Sequence, residues 1–252
     1  MCLNNNSRRT SKLHHSEAII LAGGLGTRLR SVIPDLPKPM APVNGKPFLE
    51  YLMDFWISQG VVHFVLAVGY KYQAVVDHFG GSYRGIPIDY SIESEPIGTG
   101  GGLFLAFERI SSREPFYVIN GDTFFPIDSN SVFKFHSMMK SEFTMVLREM
   151  SSAERYGTVR LEKDKRIIQF CSPGQGHPPF LINGGVYLIE PEFLTDTYSK
   201  GLFKGPISLE DVLFPKWVQE NKSLYGYIEK NNSFLDIGIP SDYERSQSFF
   251  IQ

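Results

Sequence analysis

An apolar run that opens directly into a glycine-rich, basic segment is the feature that most limits how this chain can fold. Residues 18–46 read AIILAGGLGTRLRSVIPDLPKPMAPVNGK, with three glycines after the apolar stretch and, further on, a lysine between two prolines. In α/β proteins, the loops that follow buried strands carry ligand sites at the carboxyl edge of the sheet. The segment therefore predicts a buried strand followed by a ligand-binding loop.

The glycine loop contains the groups that bind a polyphosphate. Glycines let the backbone approach a ligand and turn its amides inward. Arg28 adds a planar pair of donors, and Lys38 adds a point charge held between Pro37 and Pro39. The loop lacks the Lys-Ser or Lys-Thr of the Walker motif, and Leu29 stands where the dinucleotide fingerprint needs a third glycine. A glycine turn with surface basic residues is the alternative, but it leaves the Pro-Lys-Pro arrangement unexplained.

The composition excludes several other classes of protein. A chain of 252 residues, 42% of them hydrophobic, can bury one good α/β core or two small ones, and a net charge of −2 argues against a nucleic-acid surface. Cys2 and Cys171 form neither a disulfide framework nor a zinc motif, which suits the cytoplasm. No apolar run approaches the ~20 residues of a membrane span. Residues 1–16 lack the apolar core of a signal peptide and are predicted to be a disordered tail, although His14 and His15 could bind metal by chance.

Strand and helix signals alternate in the first half of the chain, which predicts a parallel sheet flanked by helices. The second half is richer in strand signals, and Ser208 is predicted to cap a helix with Asp211 three residues on. The predicted strands are 18–21, 61–68, 88–92, 116–119, 143–147, 158–161, 166–170, 186–189, 224–229 and 234–237. The other predicted helices are 47–59, 71–79, 99–109 and one that begins at Pro240.

The motifs GGLGTRLR and LPKPM together resemble the signature of the sugar-1-phosphate nucleotidylyltransferases. A narrower likeness, carried by DLPKPMAPVNGKPFLEYL, VGYKY and EPIGTGGG, is to the D-glycero-α-D-manno-heptose 1-phosphate guanylyltransferases. It runs from about Ala18 to Tyr243. The resemblance implies an α/β fold of the nucleotide-diphospho-sugar transferase type, with a Rossmann-like mixed, mainly parallel sheet. It also implies one domain over residues 17–252, with a nucleotide-binding half (17–125) and a sugar-binding half (126–252).

The resemblance further implies transfer of a nucleotidyl group from an NTP, with GTP favoured, to a sugar 1-phosphate. D-glycero-α-D-manno-heptose 1-phosphate is the favoured acceptor, for a bacterial surface polysaccharide, and Mg²⁺ is the implied cofactor. The alternatives are mannose-1-phosphate guanylyltransferase, N-acetylmuramate-1-phosphate uridylyltransferase and a catalytically silent subunit that only binds sugar nucleotides. We expect a cytoplasmic protein without nucleic-acid or membrane partners, and leave a homodimer open.

Asp122 and Asp236 each follow or end an apolar strand and are predicted to bind the metal. Two carboxylates can hold Mg²⁺ while phosphate oxygens and water fill its other positions. Either aspartate could instead be an ordinary turn residue. In the resemblance, NGD and DIG match the two metal-ligand motifs, and Arg28 and Lys38 stabilise the transition state.

The remaining site residues follow from the same resemblance. Two of these assignments have alternatives. Glu210 could be an acid that is simply favoured in the first turn of a helix, and the glycines from Gly98 to Gly102 could form a flexible turn without a ligand role. The predicted nucleotide-binding residues are Leu21, Ala22, Gly23, Gly24, Gly26, Thr27, Glu93, Gly98, Thr99 and Gly121. The predicted sugar-binding residues are Tyr156, Gly157, Asn183, Gly184 and Glu210.

Two positions bear on substrate choice. Glu93 can accept both the ring N–H and the amino group of guanine, whereas thymine and uracil present a donor beside an acceptor and suit an amide. The alternative interpretation is that Glu93 is a solvated acid in an acidic loop. Ser172 stands where relatives commonly place a lysine that grips the sugar phosphate, so Arg155, Lys165 and Lys204 are candidate replacements.

Overall fold

A ten-stranded mixed sheet runs through the part of the chain that the computed structural model describes, which is residues 14–200, 205–230 and 233–250. A 3₁₀ turn covers Lys38–Met40 and a π-helical turn covers Leu209–Leu213. The strands are β1 (Ser16–Leu21), β2 (Pro42–Val43), β3 (Lys46–Pro47), β4 (Val61–Val68), β5 (Ser82–Tyr83), β6 (Ile86–Ile92), β7 (Phe116–Asn120), β8 (Thr123–Phe124), β9 (Phe143–Met150), β10 (Thr158–Leu161), β11 (Ile167–Cys171), β12 (Phe180–Ile189), β13 (Leu224–Glu229) and β14 (Leu235–Asp236). The helices are α1 (Phe48–Ser58), α2 (Tyr72–Phe79), α3 (Gly98–Phe107), α4 (Ser129–Met139), α5 (Pro191–Lys200), α6 (Phe214–Gln219) and α7 (Pro240–Phe249).

The centre of the sheet is parallel. Strands β7, β1, β4 and β6 lie side by side and run in the same direction. Because parallel neighbours need crossover connections, helices α1, α2 and α3 alternate with these strands along the chain. The carboxyl ends of the four strands therefore meet at one edge of the sheet. The predicted α/β fold with a parallel centre is confirmed.

The second half of the chain adds mainly antiparallel strands. β12 pairs antiparallel with both β7 and β9, β10 and β11 form a hairpin, and β13 runs parallel to β9. The pairing of β12 with β9 shifts register between Asn183 and Tyr187. Such a bulge re-aims side chains at that point of the strand.

Helices cover both faces of the sheet, because alternate residues of each central strand point to opposite sides. In β1, Ala18 and Ile20 join a buried cluster with α1, α2 and α4, whereas Ile19 joins a second cluster with α3, α5 and α6. A third cluster contains Leu29 and Ile33 of the segment after the glycine loop. Two clusters thus cover the two faces of the sheet, and the third packs the segment after the glycine loop.

Several elements differ from their sequence predictions. Helices α4 and α5 were not predicted, and β12 begins at Phe180, not at Val186. Asp128 caps α4 by accepting a hydrogen bond from the backbone N–H of Asn130, and packing of Val132 and His136 stabilises a segment of weak helix formers. Ser208 caps its helix as predicted, although the first turn is π-helical.

The prediction of a disordered tail over residues 1–16 includes residues that the structure places in ordered contacts. His14 stacks on Phe133, with ring centroids 3.7 Å apart, and Ser16 is buried as the first residue of β1. Burial of these side chains holds the segment in place. Residues 1–13 of that prediction lie outside the described residues. None of the helices in the described ranges is long and apolar enough to cross a membrane.

Candidate functional site

A cleft of about 410 Å³ opens at the carboxyl ends of β1, β4, β6 and β7. Every one of the ten residues predicted to bind nucleotide lines it, together with Arg28, Lys38, Asp122 and Glu210. The position agrees with the rule that parallel sheets bind ligands beyond their strand ends. The lining also includes Leu25, Pro39, Ala67, Pro96, Asn120 and Gly238, which were not predicted, and Gly102, which belongs to the predicted glycine-rich segment 98–102.

The glycine loop bends closely over the rest of the site. Gly26 has a φ of +57°, and a Cβ added there would lie 3.2 Å from Cβ of Lys38. The N–H of Gly121 donates to the carbonyl oxygen of Leu21 at 2.9 Å, so the ends of β1 and β7 touch. In the part of the chain that the structure describes, the exposed Arg28 guanidinium makes no hydrogen bond or ion pair. This cation is available to a ligand.

Lys38 lies beside the two acidic residues predicted to bind metal. Its Nζ is 2.6 Å from Oδ2 of Asp122 and 4.0 Å from Oδ1 of Asp236. The lysine side chain is only 10% exposed, and the flanking Pro37 and Pro39 restrict its backbone. Two carboxylates that are distant in sequence thus converge on one cation.

The pKa values of the two carboxylates beside Lys38 are shifted in opposite directions. Burial by itself would raise the pKa of Asp122, but the ammonium of Lys38 outweighs it and holds that pKa below its ordinary value. Burial and the neighbouring charge of Asp122 together raise the pKa of Asp236. The two carboxylates repel one another, and additional positive charge beside them would be favourable.

Glu93 lies directly after β6 and forms part of the cleft wall. Its backbone N–H donates to the carbonyl oxygen of Val68 at 2.8 Å. Its carboxylate lies over Gly23 and Gly102, since a Cβ added to either glycine would be 2.6 Å from Oε1. Burial raises the pKa of Glu93, and a hydrogen bond from the N–H of Ile97 opposes this. The alternative of a solvated loop acid does not fit this half-buried position.

Thr99 and Glu210 join the glycine-rich start of α3 to the segment before α6. The Thr99 hydroxyl donates to Oε2 of Glu210 at 3.1 Å and accepts from the backbone N–H of Leu209 at 2.8 Å. Gly98 has a φ of +79°, and a Cβ there would overlap the carbonyl oxygen of Ile207. The glycines therefore pack closely against the segment before α6 and do not form a flexible turn.

Tyr156 and Gly157 lie outside the lining of this cleft, and Tyr156 lies close to Asp236. The Tyr156 ring packs edge-on against Phe234 with centroids 6.3 Å apart. Burial and the charge of Asp236 raise the pKa of the Tyr156 hydroxyl, which stays protonated at neutral pH. Gly157 is exposed, and a Cβ there would lie 3.2 Å from the carbonyl oxygen of Cys171.

Asn183 and Gly184 also lie outside the lining, in the bulge of β12. Nδ2 of Asn183 donates to the hydroxyl of Tyr187 at 2.7 Å, and its Oδ1 accepts from the N–H of Gly185 at 2.9 Å. Gly184 is buried, and a Cβ there would lie 2.6 Å from the ring of Phe125. In this structure both residues take part in internal packing.

The candidate replacements for the missing lysine lie in different places. Arg155 Nη2 is 2.8 Å from Oδ2 of Asp242 on α7. Lys165 lies in the turn between β10 and β11, at the opposite end of that hairpin from Ser172. Lys204 is outside the described residues. Of the two cations that can be placed, only Arg155 lies beside Tyr156.

Asn120 is the polar side chain in the cleft that sequence reasoning missed. It ends β7 two residues before Asp122, and a Cβ added to Gly185 would lie 3.0 Å from its Nδ2. Its place in the NGD motif is a signal that could have identified it. Gly238 is also new to the lining, and its N–H donates to Oδ1 of Asp236 at 2.7 Å.

Known proteins share both the sequence and the fold. Residues 17–252 match the family described as Nucleotidyl transferase. The chain is 44% identical to D-glycero-alpha-D-manno-heptose 1-phosphate guanylyltransferase of Aneurinibacillus thermoaerophilus, over 92% of this chain and 96% of that protein. It is 39% identical to the protein of the same name from Campylobacter jejuni, over 90% of this chain and 96% of that one.

A solved structure adds a likeness in three dimensions. HddC from Yersinia pseudotuberculosis, complexed with GMP-PN, superposes with a TM-score of 0.79 at 32% identity, over 93% of this chain and 99% of that one. The family match spans the glycine loop, Lys38, Asp122 and Asp236 together. This chain therefore belongs to the nucleotidyl transferase family and is an enzyme of that class.

Proposed function

We propose that this enzyme transfers the guanylyl group of GTP to D-glycero-α-D-manno-heptose 1-phosphate, releasing pyrophosphate. The observation that carries the proposal is the meeting of Lys38 with Asp122 and Asp236 beside a glycine loop and the exposed guanidinium of Arg28. The guanylyl group and the heptose acceptor are inferred from the names of the two relatives and from the nucleotide bound to HddC.

The reaction requires positioning and charge. An oxygen of the sugar phosphate attacks the α-phosphorus in line, the bond from that phosphorus to the bridging β-oxygen breaks, and pyrophosphate leaves. No protein nucleophile is needed. The glycine-loop amides hold the triphosphate, and Arg28 and Lys38 stabilise the negative charge that develops between the two phosphates.

Asp122 and Asp236 fit a divalent metal, which we infer to be Mg²⁺. They converge on one point, where the Lys38 ammonium already supplies a single positive charge. Among the described residues, no cluster of three or more Asp, Glu, His or Cys side chains is arranged to hold a metal. A site with two carboxylates suits Mg²⁺, because that ion keeps several positions for substrate phosphates and water. Bound there, it would neutralise phosphate charge.

Glu93 is the residue that we assign to guanine. Its carboxylate can accept the two adjacent donors of that base, and it already lies in the cleft wall against Gly23 of the glycine loop. The raised pKa of the buried carboxyl group is compatible with this role, since a pair of donors from the base would stabilise its charged form.

The acceptor is proposed to lie between Glu210 and Tyr156. Glu210 lines the cleft, and Thr99 orients its carboxylate. Tyr156 lies close to Asp236, with Gly157 next to it in the chain, and Arg155 is the described cation that could meet the sugar phosphate. Asn183 and Gly184 are proposed to act on the acceptor indirectly. Their contacts are with other protein groups and shape the bulge of β12.

The division into a nucleotide half (17–125) and a sugar half (126–252) is part of the same proposal. The cytoplasmic location and the homodimer stay predictions.

A pyrophosphate-release assay tests the proposal. Purified enzyme with Mg²⁺ is offered GTP, UTP, dTTP or ATP in combination with heptose, mannose or N-acetylmuramate 1-phosphate. We expect the fastest release with GTP and the heptose, and loss of release in EDTA that added Mg²⁺ restores. Faster release with mannose or with UTP and N-acetylmuramate 1-phosphate would assign the alternative enzymes. Nucleotide binding without release from any pair would identify a catalytically silent subunit.

A further inference from the structure

The glycine loop is held from outside by residues that are not part of the cleft lining. Between Gly23 and Leu36 the backbone hydrogen bonds found in the described chain all stay within the segment, such as those of Leu29 N–H to Gly26 and of Ile33 N–H to Leu29. The segment therefore depends on side chains for its placement. Leu29 and Ile33 supply one anchor by burial in the third apolar cluster.

The second anchor comes from the turn after β4. The Arg30 guanidinium lies over the Tyr70 ring, with Cζ 4.4 Å from the ring centroid. Nζ of the next residue, Lys71, donates to the carbonyl oxygen of Pro34 at 2.8 Å and lies 3.9 Å from Oδ1 of Asp35. Lys71 has a φ of +53°, a conformation that side-chain-bearing residues rarely adopt, so the turn is held in an unusual shape.

Arg30 also sets the orientation of one peptide in the loop. Its Nε donates to the carbonyl oxygen of Leu25 at 3.2 Å. In a planar trans peptide the carbonyl and the following N–H point in opposite directions, so the N–H of Gly26 points away from Arg30. Leu25 and Gly26 both line the cleft. The stacked arginine thus fixes which way a candidate phosphate donor faces.

We propose that Tyr70, Arg30 and Lys71 form a latch that positions the glycine loop for the triphosphate. Tyr70 holds Arg30, Arg30 orients the Leu25–Gly26 peptide, and Lys71 holds the far end of the segment. The three are positioning residues that act through the loop. This inference rests on the proposed function, since it assigns the loop to the NTP and not to the acceptor.

Substitution of Tyr70 separates this role from a general one in folding. Tyr70→Leu removes the ring, and Tyr70→Phe keeps it without the hydroxyl. An exposed cation–π contact is worth about 1 kcal/mol at most, so we expect Tyr70→Leu to raise the KM for GTP about fivefold. The KM for the sugar phosphate should change less than twofold, and Tyr70→Phe should behave as the wild type. Arg30→Lys keeps a cation but removes the Nε donor, and should also raise the KM for GTP.

Tyr83 provides a matched control. Arg84 lies over the Tyr83 ring with Cζ 5.5 Å from the centroid, on the β5 edge of the sheet and away from the cleft lining. Tyr83→Leu should leave the KM for GTP unchanged. Equal effects of Tyr70→Leu on both KM values, no effect on either, or a Tyr70→Phe variant as impaired as Tyr70→Leu would overturn the latch.

A readout without turnover keeps the latch and the proposed function apart. Trypsin should cleave after Arg28 or Arg30 several times faster in Tyr70→Leu than in the wild type or Tyr70→Phe. A wild type that releases no pyrophosphate, combined with this change in cleavage, would reject the function and keep the loop anchor. A wild type that turns over GTP, with cleavage and KM unaffected by Tyr70→Leu, would reject the latch alone.

Discussion

The two halves of the chain place their candidate site residues in different ways. In residues 17–125, every predicted nucleotide-binding residue lines the cleft, because these residues lie at the ends of the parallel strands β1, β6 and β7 or in the segments that follow them. In residues 126–252, only Glu210 of the five predicted sugar-binding residues does so. Parallel strands bring their carboxyl ends to one edge, whereas antiparallel strands spread theirs over two. Sequence motifs therefore locate cleft residues more accurately in the first half of the chain than in the second.

The largest expected effect tests the charge at the junction of the halves. Lys38→Ala should reduce kcat for pyrophosphate release by ~10²-fold or more, because a charge that opposes the developing negative charge is lost. Asp122→Asn should have an effect of similar size. Lys46→Ala, at an exposed lysine of β3, is the control. Near wild-type turnover of a folded Lys38→Ala enzyme would show that the two halves do not meet at this residue for catalysis.

The next effect concerns nucleotide choice, which we assign to the first half alone. Wild-type enzyme should prefer GTP over UTP by roughly ten- to hundredfold in kcat/KM, as a bidentate base contact discriminates by ~1–3 kcal/mol. Glu93→Gln should erode that preference and leave the KM for the sugar phosphate unchanged. Glu95→Gln, at an exposed acid of the same loop, is the matched control. Equal erosion by both variants would indicate a general charge effect.

A pair of glycine substitutions compares the halves most directly. At Gly184 a Cβ meets the Phe125 ring at 2.6 Å and the Val146 carbonyl oxygen at 2.9 Å, so Gly184→Ala should destabilise the fold by about 1–3 kcal/mol. At Gly23 it meets only the end of the Glu93 side chain, which can move. Gly23→Ala should keep the wild-type urea midpoint and raise the KM for GTP. The reverse pattern would mean that the sugar-half glycine serves the ligand.

The smallest effect is on stability and belongs to the second half. Burial lowers the pKa of His136 to about 4, while the unfolded residue titrates near 6.5. Between these values the unfolded chain binds a proton that the folded chain does not, so stability falls as the pH drops below 6.5. We expect about 1 kcal/mol to be lost between pH 7 and pH 5.5.

Urea unfolding at the two pH values measures this loss. His136→Gln removes the titrating group, so the free energy of unfolding should no longer fall by this amount between the two pH values. His177→Gln, at an exposed position, should leave the fall unchanged. Identical pH profiles for the wild type and His136→Gln would contradict the expected role of burial. Oε1 of Glu190 and Oγ1 of Thr144 face the two ring nitrogens and could then account for a protonated imidazole.

The sequence by itself determined the fold class and the first wall of the cleft. The glycine loop and the NGD motif are short and follow strands directly, so their chemistry and their place in a parallel sheet can be read together. The Pro-Lys-Pro segment lies further along the chain and was recognised by its composition. Glu93 was identified from the resemblance to the family, and its position directly after β6 agrees with that assignment. Apart from the Pro-Lys-Pro segment, these motifs lie within a few residues of a strand end.

Only the tertiary structure decided which distant residues meet. The approach of Lys38 to Asp236, the bond between Thr99 and Glu210 and the burial of Gly184 depend on chain crossings that no local pattern encodes. Helices α4 and α5 likewise depend on packing, because their own residues favour helix weakly. Local propensity and motif spacing act over a few residues, whereas these contacts are set by long-range burial and pairing across the sheet.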